Sequence, residues 1–178
     1  IKFKLQLKLK KMSTENLNKD EALDKMKSMV KDIKTCMFVT DFGNKPLSAV
    51  PMTTKEVDKE GNIWFFSRLD SDHNGDIAKD NDVQLLYSDT SDMEFISIYG
   101  KATIETNKNV LEEFYGKMDD AWFNGVDDPN LTAIKVVPKE AYFWDNKQNK
   151  FVTFLKIGAA AVTGDKKGDI GEKGKLNL

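Results

Sequence analysis

An antiparallel β-barrel bordered by helices is the fold class this sequence predicts. Three observations carry the prediction. About seven apolar runs with strand character are separated by turns rich in Gly, Asn, Asp and Pro, and several of the runs are adjacent in sequence. Only two or three amphipathic segments stand between them. Neither the alternating strand-helix rhythm nor the glycine-rich phosphate fingerprint of a doubly wound sheet is present.

The elements follow in order. Ala22, Leu23, Met26, Met29, Val30 and Ile33 recur at helical intervals, and Asn18 with Glu21 has capping-box-like spacing, so a helix is predicted over about 19–34. "CMFVT" and "LSAVPMTT", joined by "DFGNKP", read as a hairpin. After the polar turn "VDKEGN" comes a strand at 63–67. "SDHNGDIAKDN" reads as a short helix opening near Ser71 and closing at Asn81, because Ser and Asp favour helix N-caps. "VQLLYSD" and "EFISIYGKATIET" are strands, and Gly100 inside the second predicts a bulge or a close backbone approach. A second amphipathic helix is predicted from near Asn107, with Val110, Leu111, Phe114 and Met118 facing inward, followed by the loop "DDAWFNGVDDPN". "TAIKVV" and "EAYFWD" are two β runs joined by Pro138. "FVTFLKIGAAAVTG" begins like a strand and ends like a helix, and glycine and charge dominate from Asp165 onward.

At 178 residues the chain fits one domain with a real core. Three segments are expected: a non-native or disordered prefix at 1–11, the barrel domain at 12–164, and a flexible tail at 165–178. The prefix "IKFKLQLKLKK" alternates strictly, with five lysines and no acid, whereas "MSTENLNKDEALDKM" from Met12 reads like a native start. Removing those five from the 27 basic residues leaves 22 against 29 acidic ones, so the body carries a formal charge of −7. An acidic body argues against general nucleic-acid or anionic-membrane affinity. One cysteine, Cys36, excludes an intrachain disulfide, and with one histidine it cannot build a Cys/His zinc cage. A reducing cytoplasm is the expected compartment. Cys36 lies in an apolar run and reads as a small buried hydrophobe.

Most constellations of catalytic chemistry fail on inspection. His73 has no glycine-flanked serine elbow to pair with, and the acidic pairs Asp119/Asp120 and Asp127/Asp128 read as solvated turns rather than metal ligands. The stretch "IWFFSRLDSDHNGDI" is different. An apolar strand runs into Ser67, Arg68, Ser71 and His73 at a helix start, which together supply hydroxyl donors, cations and free backbone N–H groups. It reads either as a core strand with a solvated turn or as the wall and anion-binding mouth of a pocket.

The ordered set "MFVT…GNKPLSAVPMTT…GNIWFFSRLDSDHNGDIAKDNDVQLLYSD…FISIYGKATI…AWFNGVDDP…VVPKEAYFWD" resembles the FMN-binding split barrels of the pyridoxamine 5'-phosphate oxidase-like superfamily, in particular the general stress protein 26 branch. The resemblance covers roughly 21–155. It implies a mainly β (α+β) fold, a six- to seven-stranded antiparallel split barrel flanked by helices. It also implies a homodimer with FMN at the subunit interface. The strand Pro51, Met52, Thr53, Thr54 and the strand Trp64, Phe65, Phe66, Ser67 would flank the isoalloxazine, and the family's Ser-x-Lys phosphate motif corresponds to Ser71, Asp72, His73. Trp144 would lie beside the flavin, with a core tryptophan as the alternative, and Trp122 and Phe123 match a loop that approaches from the partner subunit.

Two departures from the pattern matter. Histidine replaces the phosphate-binding lysine, and a free histidine is mostly neutral at pH 7, so Arg68 is expected to supply the permanent charge while a bound phosphate raises the pKa of His73. True pyridoxamine phosphate oxidases carry an Arg and a His six and eight residues after the tryptophan. Here those positions hold Lys150 and Val152, which disfavours that reaction. The resulting expectation is a cytoplasmic FMN-dependent oxidoreductase of the stress type acting with a small-molecule redox partner. A non-catalytic flavin-binding or flavin-sensing protein is the alternative, and haem or a deazaflavin in the same barrel is a third. No residue stands out as an acid or base; Tyr99, Tyr115 and Tyr142 could each donate a proton but read rather as packing residues with satisfied hydroxyls.

Overall fold

The computed structural model of the chain describes residues 19–145 and 172–177. It is mainly antiparallel sheet with three helices, a split barrel. Helix α1 (Lys19–Ile33) opens with Asp20 and Glu21, which suit the positive end of a helix dipole. It buries Ala22, Met26, Met29 and Val30 against the sheet. That stripe recurs at the three- and four-residue spacing read from the sequence.

β1 (Thr35–Thr40) and β2 (Ser48–Thr53) form the predicted hairpin, with Cys36 opposite Met52 and Phe38 opposite Val50. A two-residue strand β3 (Glu56–Val57), too short to give a sequence pattern, pairs with β4 (Ile63–Arg68). Then come α2 (Asp72–Lys79), β5 (Asp82–Asp89), β6 (Glu94–Glu105), α3 (Lys108–Phe114), a 3-10 turn (Lys117–Ala121), β7 (Leu131–Asp145) and β8 (Glu172–Asn177). The strand order is β2-β1-β5-β6-β7-β4-β3, with β8 added to β7. Because β3 follows β2 directly and pairs with β4, the two ends of the sheet are joined. Lys55 extends the β3–β4 pairing by donating its backbone N–H to the Trp64 carbonyl at 2.7 Å.

The barrel interior holds Phe38, Phe65, Leu85, Ile96, Ile98, Ile134 and Phe143, all 1% exposed or less. Phe38 and Phe65 meet edge-to-face with centroids 5.3 Å apart, the arrangement that ring quadrupoles favour. A second cluster, Trp64, Leu111, Phe123, Leu131 and Ala133, lies outside the barrel wall beneath α3 and the 3-10 turn.

The structure corrects four expectations. Met118 does not continue an inward helical face: α3 ends at Phe114 and Met118 is 88% exposed. The two β runs around Pro138 are one strand, β7, in which the proline sits opposite Gly100. The register shifts between Tyr99 and Gly100, and a Cβ on Gly100 would stand 2.7 Å from the Val137 carbonyl oxygen, so the bulge and the close approach predicted for this glycine both occur. Proline is tolerated there because a bulge spares one ladder donor. Residues 172–177, placed by composition in a loose tail, form β8, whose Leu176 is fully buried. Asp119 and Asp128 are not solvated turn residues but are buried to below one-tenth exposure. The prefix, the capping residue Asn18, Lys150, Val152 and the "FVTFLKIGAAAVTG" segment lie outside the described residues. Among the described residues no helix is long and apolar enough to cross a membrane.

Candidate functional site

The site is built where β4 ends and α2 begins, and its floor is a buried hydroxyl network. Ser67, inward at the end of β4, donates to the Asn74 Oδ1 at 2.9 Å and meets the Thr132 hydroxyl at 2.8 Å. Asn74, buried in α2, returns its amide to the Arg68 carbonyl at 3.0 Å and to Thr132 at 3.1 Å. Each buried polar atom thereby has a partner, and the turn between β4 and α2 is fixed in space. Ser67 therefore supports the turn with its side chain rather than opening it to a ligand.

Above this floor lie the polar groups of the predicted mouth. Ser71 is the N-cap of α2 in an extended conformation, and its side chain does not cap the helix. Its hydroxyl instead lies 3.1 Å from His73 Nε2. The His73 ring stands 6.3 Å from Phe38, and burial pushes its pKa down against the opposing pull of Asp76 and Asp72. Arg68 is exposed and folds onto Asp70, donating from Nε at 3.0 Å and from an Nη at 3.3 Å. Hydrogen bonding to Asp70 raises its already high pKa further. Asp76 accepts from the Thr40 hydroxyl at 2.8 Å, tying α2 to β1.

A second group forms on the outer side of β4. Phe66 packs on Tyr115 and Phe123, with centroids 6.0 and 6.3 Å away, and Lys55 Nζ sits 5.0 Å over the Phe66 ring. Lys55 also donates to both oxygens of Asp119, at 2.8 and 2.7 Å. Asp119 accepts in turn from the Gly116 backbone N–H at 2.8 Å, so one carboxylate anchors the whole 3-10 turn. Beside it a cleft of about 310 Å³ is bordered by Lys31, Lys34, Thr54, Lys55 and Glu56.

The predicted residues thus fall into three places. Ser71 and His73 meet at the start of α2, while Ser67 turns into the buried floor and Arg68 onto Asp70, and Phe65 is committed to the core at 0% exposure. Phe66 and Phe123 meet in the outer cluster, with Trp122 beside them 78% exposed. Pro51 and Thr53 face outward on β2, Met52 faces inward, and Thr54 meets Tyr87. Trp144 stands on the outer face of β7 opposite Phe95, 43% exposed, so it is not a core tryptophan. Sequence reasoning missed Lys55, Asn74, Thr132 and Tyr87. Lys55 had a signal, being the one cation directly after "PMTT"; the others are ordinary polar residues whose partners are distant in sequence. Among the described residues no group of three His, Cys, Asp or Glu is placed to hold a metal ion.

A curved antiparallel sheet whose end strands follow one another in the chain, with a polar helix start and an aromatic outer cluster, defines a split-barrel protein. The pyridoxamine 5'-phosphate oxidase like family matches residues 21–168, and the chain belongs to that family. Solved structures agree with the fold. A protein described as a general stress protein 26 from Jannaschia sp. CCS1 superposes with a TM-score of 0.69 at 23% identity, covering 87% of this chain and 97% of that one. A general stress family protein from Xanthomonas campestris gives 0.64 at 26% identity, covering 75% and 92%. The general stress FMN/FAD binding protein of Xanthomonas citri gives 0.63 at 24% identity, covering 74% and 93%. No curated protein matches the chain.

Proposed function

We propose that the chain is a dimeric FMN-binding protein of the general stress type, cytoplasmic, acting with a small-molecule redox partner. The observation that carries the reading is the pairing of Ser71 with His73 at the start of α2, over a floor locked by Ser67, Asn74 and Thr132, with Arg68 on the turn that precedes them. The Ser71 hydroxyl is not spent on capping, and the backbone N–H groups of Asp72 and His73 in the first turn point out of the helix, which suits a phosphate. The donor set fits the phosphate of FMN, although Asp70 offsets the Arg68 charge. The isoalloxazine would lie along Pro51 to Thr54 and the end of β4, reached by Trp144 and by the exposed Trp122 of a second copy, while Phe123 is buried on Phe66 of its own chain.

A dimer is supported by the outer face of the sheet. Met37, Leu86, Tyr142 and Trp144 are 41%, 43%, 44% and 43% exposed. The register puts Pro51, Met37 and Leu86 side by side on β2, β1 and β5, and Ser97 and Tyr142 continue the row on β6 and β7. A row that is apolar on four of its five strands, broken only by Ser97 on β6, is more than a monomer ordinarily leaves to water.

When bound, the flavin supplies hydride exchange; the chain's own part is to grip the phosphate, orient the ring and exclude water. A second reading, a flavin carrier or sensor without turnover, is favoured by the tyrosines: Tyr99 donates to Asp82 at 2.6 Å and Tyr115 to Asp120 at 2.9 Å, which engages two candidate proton donors. The binding reading is tested by titrating FMN fluorescence with wild type and with Ser71→Ala and Arg68→Ala. Weaker binding in both variants supports it; affinity equal to wild type in both overturns the phosphate assignment. Reduction of the bound flavin by NADH or NADPH at a catalytic rate separates enzyme from carrier.

A further inference from the structure

The cations at the β4–α2 turn are few and compromised. Arg68, the one permanent cation of the group, is held by Asp70 through two hydrogen bonds and faces Asp128 at longer range. His73 is the remaining group that can carry charge toward a ligand. The groups around it are Phe38 from β1, which is apolar, and Ser71, Asp72 and Asp76 from α2. A dianion arriving beside His73 meets the carboxylates of Asp72 and Asp76, and gains a cation only if a proton arrives as well.

We infer that His73 takes up a proton together with a phosphate group, so that this site's preference for a phosphorylated over an unphosphorylated flavin is set by pH. The inference rests on the flavin reading above and adds regulation and selectivity to it. Half-burial of the ring disfavours its charged form in the free protein, and this keeps the gate closed at neutral pH and above. A phosphate beside Nε2 reverses the balance, because the imidazolium would then be paired. Ser71, 3.1 Å from Nε2, fixes the ring in a position from which hydroxyl and imidazolium can donate to one oxyanion. The sign follows directly: extra FMN affinity is present where His73 can be protonated and is lost as pH rises. Riboflavin, which lacks the phosphate, feels none of this.

The test is a pair of fluorescence titrations, FMN and riboflavin, from about pH 5.5 to about pH 8.5, on wild type, His73→Lys and His73→Gln. The phosphate's own second ionisation, near pH 6, is carried by every variant and cancels when each is compared with His73→Lys. The expected result is a wild-type FMN/riboflavin affinity ratio that falls about tenfold with rising pH relative to His73→Lys, the scale of one charge-assisted hydrogen bond. His73→Gln should hold a low ratio without that slope. Flavin binding with a wild-type ratio parallel to that of His73→Lys, or an equal slope in His73→Gln, overturns the inference and leaves the flavin reading standing. Binding of neither flavin by any of the three proteins overturns the flavin reading and this inference with it.

Discussion

The hydroxyls of Tyr87 and Thr54 meet at 2.7 Å, one from the centre of β5 and the other from the segment that carries β2 across to β3. Tyr87 is 2% exposed and also bonds the thiol of Cys36, so three residues from three segments form one chain at the closing seam of the barrel. Burial pushes the Tyr87 phenol well above its ordinary pKa, and the neighbouring thiol adds to the effect. The phenol therefore acts as a fixed neutral hydrogen-bonding post. Tyr87→Phe should remove it at a cost of about 1–2 kcal/mol, measured by urea denaturation, because the part-buried Thr54 hydroxyl loses its partner. An unchanged denaturation midpoint would show that Thr54 finds water instead.

The thiol in that chain is pushed up to about 12, chiefly by burial, with the Tyr87 hydrogen bond opposing. A thiol whose native pKa lies above its unfolded value keeps its proton in the fold and releases it on unfolding. The associated stability is complete below the ordinary value of 9.0 and falls as pH rises from there toward about 12. Native protein at about pH 8 should also leave Cys36 unlabelled by a thiol reagent, and denatured protein should label at one thiol per chain.

Gly100→Ala should destabilise the fold by about 1–3 kcal/mol. The new methyl would lie 2.7 Å from the Val137 carbonyl oxygen and 3.0 Å from a Val136 methyl, and backbone has little room to give. Thermal unfolding checks it; a melting point equal to wild type would mean the bulge relaxes freely.

Lys55→Met should loosen the 3-10 turn without unfolding the barrel. It leaves Asp119, 7% exposed, without its cation, a larger loss than that of an exposed ion pair. The expected readout is faster amide hydrogen exchange at residues 116–123 with little change in the central strands. Uniform protection in wild type and variant would contradict the anchoring role.

The strand pattern was legible because β5 and β6 alternate between buried and more exposed positions, as β1 does over its first four residues. Gly100 announced its bulge for the same reason, as a residue that breaks an otherwise continuous run. Met118 misled because its spacing continues the helical stripe of Val110, Leu111 and Phe114, whereas Tyr115 and Gly116 adopt extended backbone and end the helix. Asp119 misled because adjacent acids on a loop usually face water; only the fold brings Lys55, 64 positions away, onto it. The upper part of the candidate site was nominated from local sequence, since Arg68 to His73 span a single turn. Its floor was not, because Thr132 reaches Ser67 across 65 residues. Lys55 also escaped notice, although it directly follows the quoted β2 motif.

The outer sheet face gives a separate test of assembly. Leu86→Lys places a charge in the middle of the apolar row and should convert a dimer to a monomer in sedimentation velocity while leaving the circular dichroism spectrum unchanged. A wild-type protein that sediments as a monomer at all concentrations would contradict the dimer.

The most direct measurement of the central claim is the visible absorption spectrum of the purified protein after incubation with FMN and desalting, followed by chromatography of whatever is released. The account predicts a yellow protein with retained flavin approaching one per chain, and less retained at higher pH. A colourless protein at every pH would contradict it, and the stretch from Ile63 to Ile77 would then be a core strand followed by a solvated turn.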